Sequence, residues 1–125
     1  PGYEFPFHAT ASGKVMLAFQ SDDFIEDTLS QDIPRFQAGT VVDRAAIKEQ
    51  LNVVREKGFA TNNMEFDPGV YALAAPVTFE HGSVFLTVGI VGMSARMHER
   101  FDEASMEKLV KSTASRLSHL LSSHR

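Results

Sequence analysis

The chain is predicted to fold as a mixed α/β domain in which an antiparallel sheet carries helices packed on it. Two changes of period predict this. Up to Lys57 the apolar residues recur at helical spacing, after Gly58 they alternate in steps of two, and from Asp102 the helical spacing returns. The 125 residues suffice for one domain with a single core, and no repeat, low-complexity tract or long linker divides them.

Pro6 holds Phe5 extended, and the periodicity from Ser12 to Phe19 gives a first helix whose opening turn is built of small residues. Ser21-Asp22-Asp23 caps a second, short helix that runs to about Leu29. Gln31 to Thr40, with Pro34 and Gly39, is polar and turn-rich enough to be a connecting loop. The third helix is the best specified. Asp43 is its N-cap, Val42 and Ile47 form a hydrophobic staple, and Ile47, Leu51 and Val54 share a face. Arg55 and Lys57 occupy its last turn before Gly58 at C′.

A first strand starts at Phe59-Ala60-Thr61, Asp67-Pro68-Gly69 makes a turn, and Val70 to Thr78 is a second strand. The hairpin signal Glu80-His81-Gly82-Ser83 leads into a third strand from Val84 to Val91. Alternation sorts the faces. Val70, Ala72 and Ala74 point one way, and Gly89 and Val91 lie together on one face of the partner, opposite Val84, Leu86, Val88 and Ile90. The bulky face calls for a helix. The last one supplies it, capped at Asp102 with Phe101 and Met106 as a staple, and carrying Met106, Leu109, Val110, Thr113, Leu117 and Leu120. The small-residue face is the candidate pocket.

Composition narrows the function. Hydrophobic residues make up 43% and charged residues 22%, as in a soluble globular domain, and the longest apolar runs are too short to span a bilayer. A net charge of −4 argues against a nucleic-acid face on this chain, because phosphate binding needs clustered Lys and Arg. The absence of Cys removes disulfides and thiolate chemistry and fits a reducing, cytoplasmic setting. The chain opens Pro1-Gly2-Tyr3 without initiator Met or apolar leader, and reads as a portion of a longer protein.

Catalytic motifs are missing. Ser12-Gly13-Lys14 has His8 where a phosphate loop needs Gly and Val15 where it needs Ser or Thr. His8, His81, His98, His119 and His124 show no metal-ligand spacing, so no metal or other cofactor is expected. Ser12 and His8 lack a third group to orient the imidazole, and Glu65 and Asp67 on a turn read as capping or solvated carboxylates. Ser12 serves equally well as a helix cap or as a ligand contact, and Lys14 reads as a solvated or packing residue.

Several motifs together resemble the C-terminal effector-binding domain of the IclR family of bacterial transcriptional regulators. They are Pro6-Phe7-His8-Ala9-Thr10-Ala11-Ser12-Gly13-Lys14, Thr40-Val41-Val42-Asp43 before the capped helix, and Gly58-Phe59 to Glu65 with Gly69. Ala74-Ala75-Pro76-Val77 and Val88-Gly89-Ile90-Val91-Gly92 with Arg96 follow in the family's order, so the resemblance covers nearly the whole chain. It implies a GAF-like domain over residues 1–125 that binds a small-molecule effector and assembles as a homodimer or tetramer. DNA would be bound only through an N-terminal winged helix-turn-helix domain outside this chain. By the same analogy the effector contacts are Ala11, Ser12, Asn62, Val70, Ala72, Gly89 and Val91, and alternation alone already places the four strand residues on the small-residue side.

The sequence also departs from the family. Asn62 stands where Asp is common, Met64 where Glu is common, and Gly89 and Val91 where some members have Ser. A buried polar group left unpaired costs about 1–3 kcal/mol, so this pocket should favour an organic acid with an aromatic or aliphatic body over a very small acid. Its carboxylate is expected at the Ala11–Ser12 helix N-terminus, where amide dipoles favour anions. A GAF-like small-molecule enzyme and a protein-interaction module without a ligand are the alternatives.

Overall fold

Side-chain caps set the start of each N-terminal helix. The computed structural model describes residues 8–64, 68–79 and 84–123, with 84, 85 and 123 described by backbone alone. In it α1 covers Ala11–Ala18, and its N-cap is Thr10, whose Oγ1 accepts the Gly13 N–H at 3.0 Å. Thr10, not Ser12, caps this helix, which leaves the Ser12 hydroxyl available to the sheet. Ser21 caps α2, Asp22–Leu29, and Asp43 caps α3, Arg44–Lys57, through the Ala46 N–H at 3.1 Å. Gly58 ends α3 with φ +78°, a left-handed conformation that side-chain-bearing residues resist. Two arginines of α3 reach back to satisfy carbonyls at the ends of the shorter helices. Arg44 donates to Leu29 and Gln31, and Arg55 donates to Ala18 and Gln20.

Three strands follow, β1 Ala60–Asn63, β2 Val70–Thr78 and β3 Val84–Met93, forming an antiparallel sheet in the order β1-β2-β3. Asn62, Ala72 and Val91 lie in one cross-strand row, and Ala60, Ala74 and Gly89 in the next. β1 begins one residue later than expected and β3 runs two residues further. The hairpin residues Glu80 to Ser83, and Glu65 and Asp67, lie outside the described residues, while Gly69 adopts φ +75° in its turn.

A helix absent from the sequence expectations comes next. α4, Ser94–Arg100, has no side-chain cap and little apolar content, so neither boundary nor period announces it. Long-range bonds hold its start instead. The Ser94 N–H donates to the Gly69 carbonyl at 2.6 Å, and the Ser94 hydroxyl donates to Asn63 Oδ1 at 2.9 Å. α5, Glu103–Ser123, is capped by Asp102, whose Oδ1 accepts the Ser105 N–H at 2.6 Å. Those hydrogen bonds hold the Asp102 carboxyl below the usual carboxylate range.

The core divides across the sheet. On one side Tyr71, Leu73, Ala75 and Val77 of β2 meet Met106, Val110 and Ala114 of α5. This is the bulky face and the covering helix that the sequence predicts, but the buried line on α5 is Met106-Val110-Ala114. Leu109, Leu117 and Leu120 stand exposed. Ser118 Oγ accepts the Thr78 N–H at the end of β2, so the last turn of α5 passes beyond the strand it covers. On the other side α1 lies against Ala60 and Ala74 through Ala11, Val15 and Ala18, with Ile47, Leu51 and Val54 of α3 behind it. The small strand residues let α1 approach closely.

Of its two expected roles, solvated or packing, Lys14 takes the second. Its side chain is buried, at 5% exposure, and Nζ donates to the Thr61 carbonyl at 2.8 Å on the outer edge of β1. An inward-pointing charge of this kind blunts a sheet edge that would otherwise pair with another strand.

Candidate functional site

The face opposite α5 divides under α1. Ala60 and Ala74 are buried there and Ala72 is half-buried against the same core, whereas Gly89 and Val91 are exposed. Val91 is 70% and Met93 57% exposed, so apolar side chains floor an open surface on β3. Asn62, buried, begins the row that runs through Ala72 to Val91, and Val70 pairs with Met93 one row further along.

At the opposite end of this surface, the Thr87 hydroxyl donates to Ser12 Oγ at 3.1 Å. Ser12 belongs to the first turn of α1, where the Ala11 and Ser12 N–H groups have no intrahelical partner and Thr10 takes the Gly13 N–H. Of the seven expected residues, Asn62, Ala72 and Val91 share a row, Val70 and Gly89 lie in the rows on either side, Ser12 stands over Thr87, and Ala11 is buried. Sequence reasoning missed Thr87 and Met93. Both carry odd numbers on β3, like Gly89 and Val91, so continuing the alternation in each direction finds them.

Gly89 has a packing reason to be glycine. A Cβ there would lie 2.9 Å from the Leu73 carbonyl oxygen and 3.4 Å from Ala74 Cβ. Close backbone approach excludes a side chain at this row, whatever a ligand requires.

His8 is structural. Its Nε2 hydrogen-bonds the Pro34 carbonyl at 2.7 Å and its ring stacks on Phe36, so Nε2 carries the hydrogen and the imidazole pins α1 to the following loop. His98 likewise turns Nδ1 to the Ser94 carbonyl at 2.8 Å and sets its ring edge-on to Tyr71. Among the described residues no group of three His, Cys, Asp or Glu side chains could hold a metal ion, and no helix is long and apolar enough to cross a membrane. His81 and His124 lie outside the described residues.

Three clefts of about 280, 260 and 200 Å³ lie away from this surface, along α3 and α5. The profile of the family described as "Bacterial transcriptional regulator IclR C-terminal" matches residues 1–119. The chain belongs to this family. The Pca operon regulatory protein of Acinetobacter baylyi is 27% identical over 121 residues, covering 96% of this chain and 44% of that protein. The transcriptional repressor AllR of Escherichia coli K12 is 30% identical over 122 residues, with the same two coverages. The chain thus spans less than half the length of the curated relatives it matches.

Solved structures of IclR regulators share the fold. The transcriptional regulator YaiJ superposes with a TM-score of 0.89 at 27% identity, over 98% of this chain and 69% of that one. The C-terminal domain of E. coli KdgR gives 0.81 at 26%, over 93% and 71%. An IclR homolog from Microbacterium hydrocarbonoxydans, solved with 4-hydroxybenzoate, gives 0.81 at 22%, over 92% and 45%. The relatives are named as transcriptional regulators, and this IclR C-terminal domain has their mixed α/β architecture with an antiparallel sheet.

Proposed function

We propose that this domain senses a small organic acid on the open face bounded by Ser12, Asn62, Val70, Ala72, Gly89 and Val91. Occupancy of that face biases the assembly of the regulator, as homodimer or tetramer, and thereby DNA binding by a winged helix-turn-helix part outside this chain. The observation that carries the reading is the pairing of two chemistries on one surface. The Ser12 hydroxyl stands in the first turn of α1, where the leading amide N–H groups have no intrahelical partner, while Val70, Val91 and Met93 offer an apolar floor.

An acid with an aromatic or aliphatic body suits that surface, its carboxylate at Ala11–Ser12. Met64, Gly89 and Val91 add no hydrogen-bonding side chain for a more polar ligand. The IclR fold accommodates such a molecule, since the Microbacterium homolog was solved with 4-hydroxybenzoate. The surface is built for binding, not catalysis. Ser12 is held by Thr87, His8 is spent on Pro34, and among the described residues no acid–base pair faces the floor. A cytoplasmic, soluble regulator is the setting this reading requires.

A thermal-shift screen of metabolite acids, followed by titration of the best ligand on the wild type and Ala72→Leu, tests it. Ligand at 100 times its dissociation constant stabilises by about 2.7 kcal/mol, a shift easily seen. Ala72→Leu adds bulk at a half-buried position between Asn62 and Val91, and it avoids Gly89, where a Cβ would lie 2.9 Å from the Leu73 carbonyl oxygen. Binding lost in Ala72→Leu supports the site, and binding unaffected by it, or confined to the smallest acids, refutes it.

A further inference from the structure

We infer that the cleft along the outer edge of β1 is a second ligand site, shaped for a small zwitterion whose ammonium and carboxylate lie at opposite ends. The cleft, of about 280 Å³, has charged groups Lys14, Glu49, Lys57 and Glu103 beside an apolar wall that includes Val53 and Phe59. α3 turns at Gly58 directly into β1, so Lys57 stands at the Phe59 end of the cleft. Glu49 precedes it by two turns, about 12 Å along the helix axis, with Val53 midway on the same face.

The second carboxylate joins the Glu49 end. Glu103 lies near the Tyr71 hydroxyl, and Tyr71 pairs with Asn63, the far end of β1 from Phe59. Lys57 is the cation at that end, for Lys111, whose Nζ donates to the Lys57 carbonyl at 2.8 Å, lines a neighbouring cleft and pairs with Glu107 at 3.3 Å. The cleft therefore has an acidic pole at Glu49 and Glu103 and a basic pole at Lys57 with valine and phenylalanine between them, while the buried Lys14 ammonium is engaged by the Thr61 carbonyl. A simple anion meets like charge at one pole, and a simple cation meets it at the other. A molecule carrying both charges, separated by a short apolar chain, satisfies each pole and leaves its methylenes on Val53 and Phe59.

The site is distinct from the organic-acid face but adjoins it. Lys14, which bonds Thr61 within the cleft, follows Ser12 by two residues on α1, and Thr61 adjoins Asn62 on β1.

Calorimetric titration of the protein with 6-aminohexanoate, hexanoate and hexylamine tests the inference. The zwitterion is expected to bind at least about tenfold more tightly than either singly charged analogue, the worth of one charge-assisted hydrogen bond. Glu49→Gln and Lys57→Met, both at exposed positions, should each weaken it by about tenfold, and Ala72→Leu should leave it unchanged. Equal binding of hexanoate, loss of binding in Ala72→Leu, or no binding at millimolar concentration would overturn it. None of these results depends on whether organic acids bind the first face.

Discussion

The Thr87 hydroxyl donates to Ser12 Oγ at 3.1 Å, joining the third strand to the first turn of α1 across 75 residues of sequence. With its oxygen lone pair engaged by Thr87, the Ser12 hydroxyl can direct its own proton outward to an acceptor at the helix N-terminus. Thr87→Val preserves shape and removes the donor. It should cost about 1 kcal/mol of stability and weaken an acid bound at Ala11–Ser12 several-fold, with Thr87→Ser retaining both. Thermal melts and titrations of the pair decide the matter, and equal behaviour of the Val and Ser variants would show that the hydroxyl does nothing.

Features fixed by neighbouring residues were legible in the sequence. Asp43 and Gly58 bound α3 because cap and left-handed exit are local chemistry, and alternation placed Val70, Ala72, Gly89 and Val91 on one side because a strand permits nothing else. Features fixed by distant partners were not. Thr10 and Ser12 are equally good caps in sequence, and only the position of Thr87 separates their roles. α4 depends on Gly69 and Asn63, and the buried line of α5 depends on how the helix is rolled on the sheet. For Lys14 the sequence leaves a solvated and a packing role open, because the carbonyl that receives it lies 47 residues away.

Lys14→Met tests the edge. The substitution fills similar volume but removes the donor that the Thr61 carbonyl accepts from, leaving a partly buried acceptor on an edge strand. A loss of about 1–3 kcal/mol is expected, together with concentration-dependent association through β1. Chemical denaturation and sedimentation velocity measure the two effects. A variant as stable and as monodisperse as the wild type would mean that the ammonium has no protective role.

Met64 follows β1 in the left-handed region, at φ +59°, a conformation that costs a residue with a Cβ about 1 kcal/mol. Its side chain is exposed, so little packing offsets that cost. Met64→Gly should raise stability by about 0.5 kcal/mol, the relief of strain exceeding the added freedom of the unfolded chain. A fall in melting temperature would show instead that the thioether makes contacts worth more than the strain.

Tyr71 carries the remaining prediction, because its hydroxyl is fully buried and finds no hydrogen-bond partner of proper geometry, although the Glu103 carboxylate lies close by. Burial, and then the negative charge of Glu103, push its pKa up from 10.0 to about 12. The folded protein therefore holds this proton when the unfolded chain has begun to release it. Stability is complete below pH 10 and falls as pH rises towards 12, since there the unfolded state is the one that ionises. Tyr71→Phe abolishes that alkaline loss. It also removes an orphaned polar atom, so at neutral pH the variant should be as stable as the wild type or more so, by up to about 1–2 kcal/mol, with the ring's packing against His98 kept. Denaturation curves at pH 7 and pH 11 read both effects. Marked destabilisation at pH 7 would mean that the hydroxyl is bonded to Glu103 after all, and an unchanged alkaline limb would mean that another group governs it.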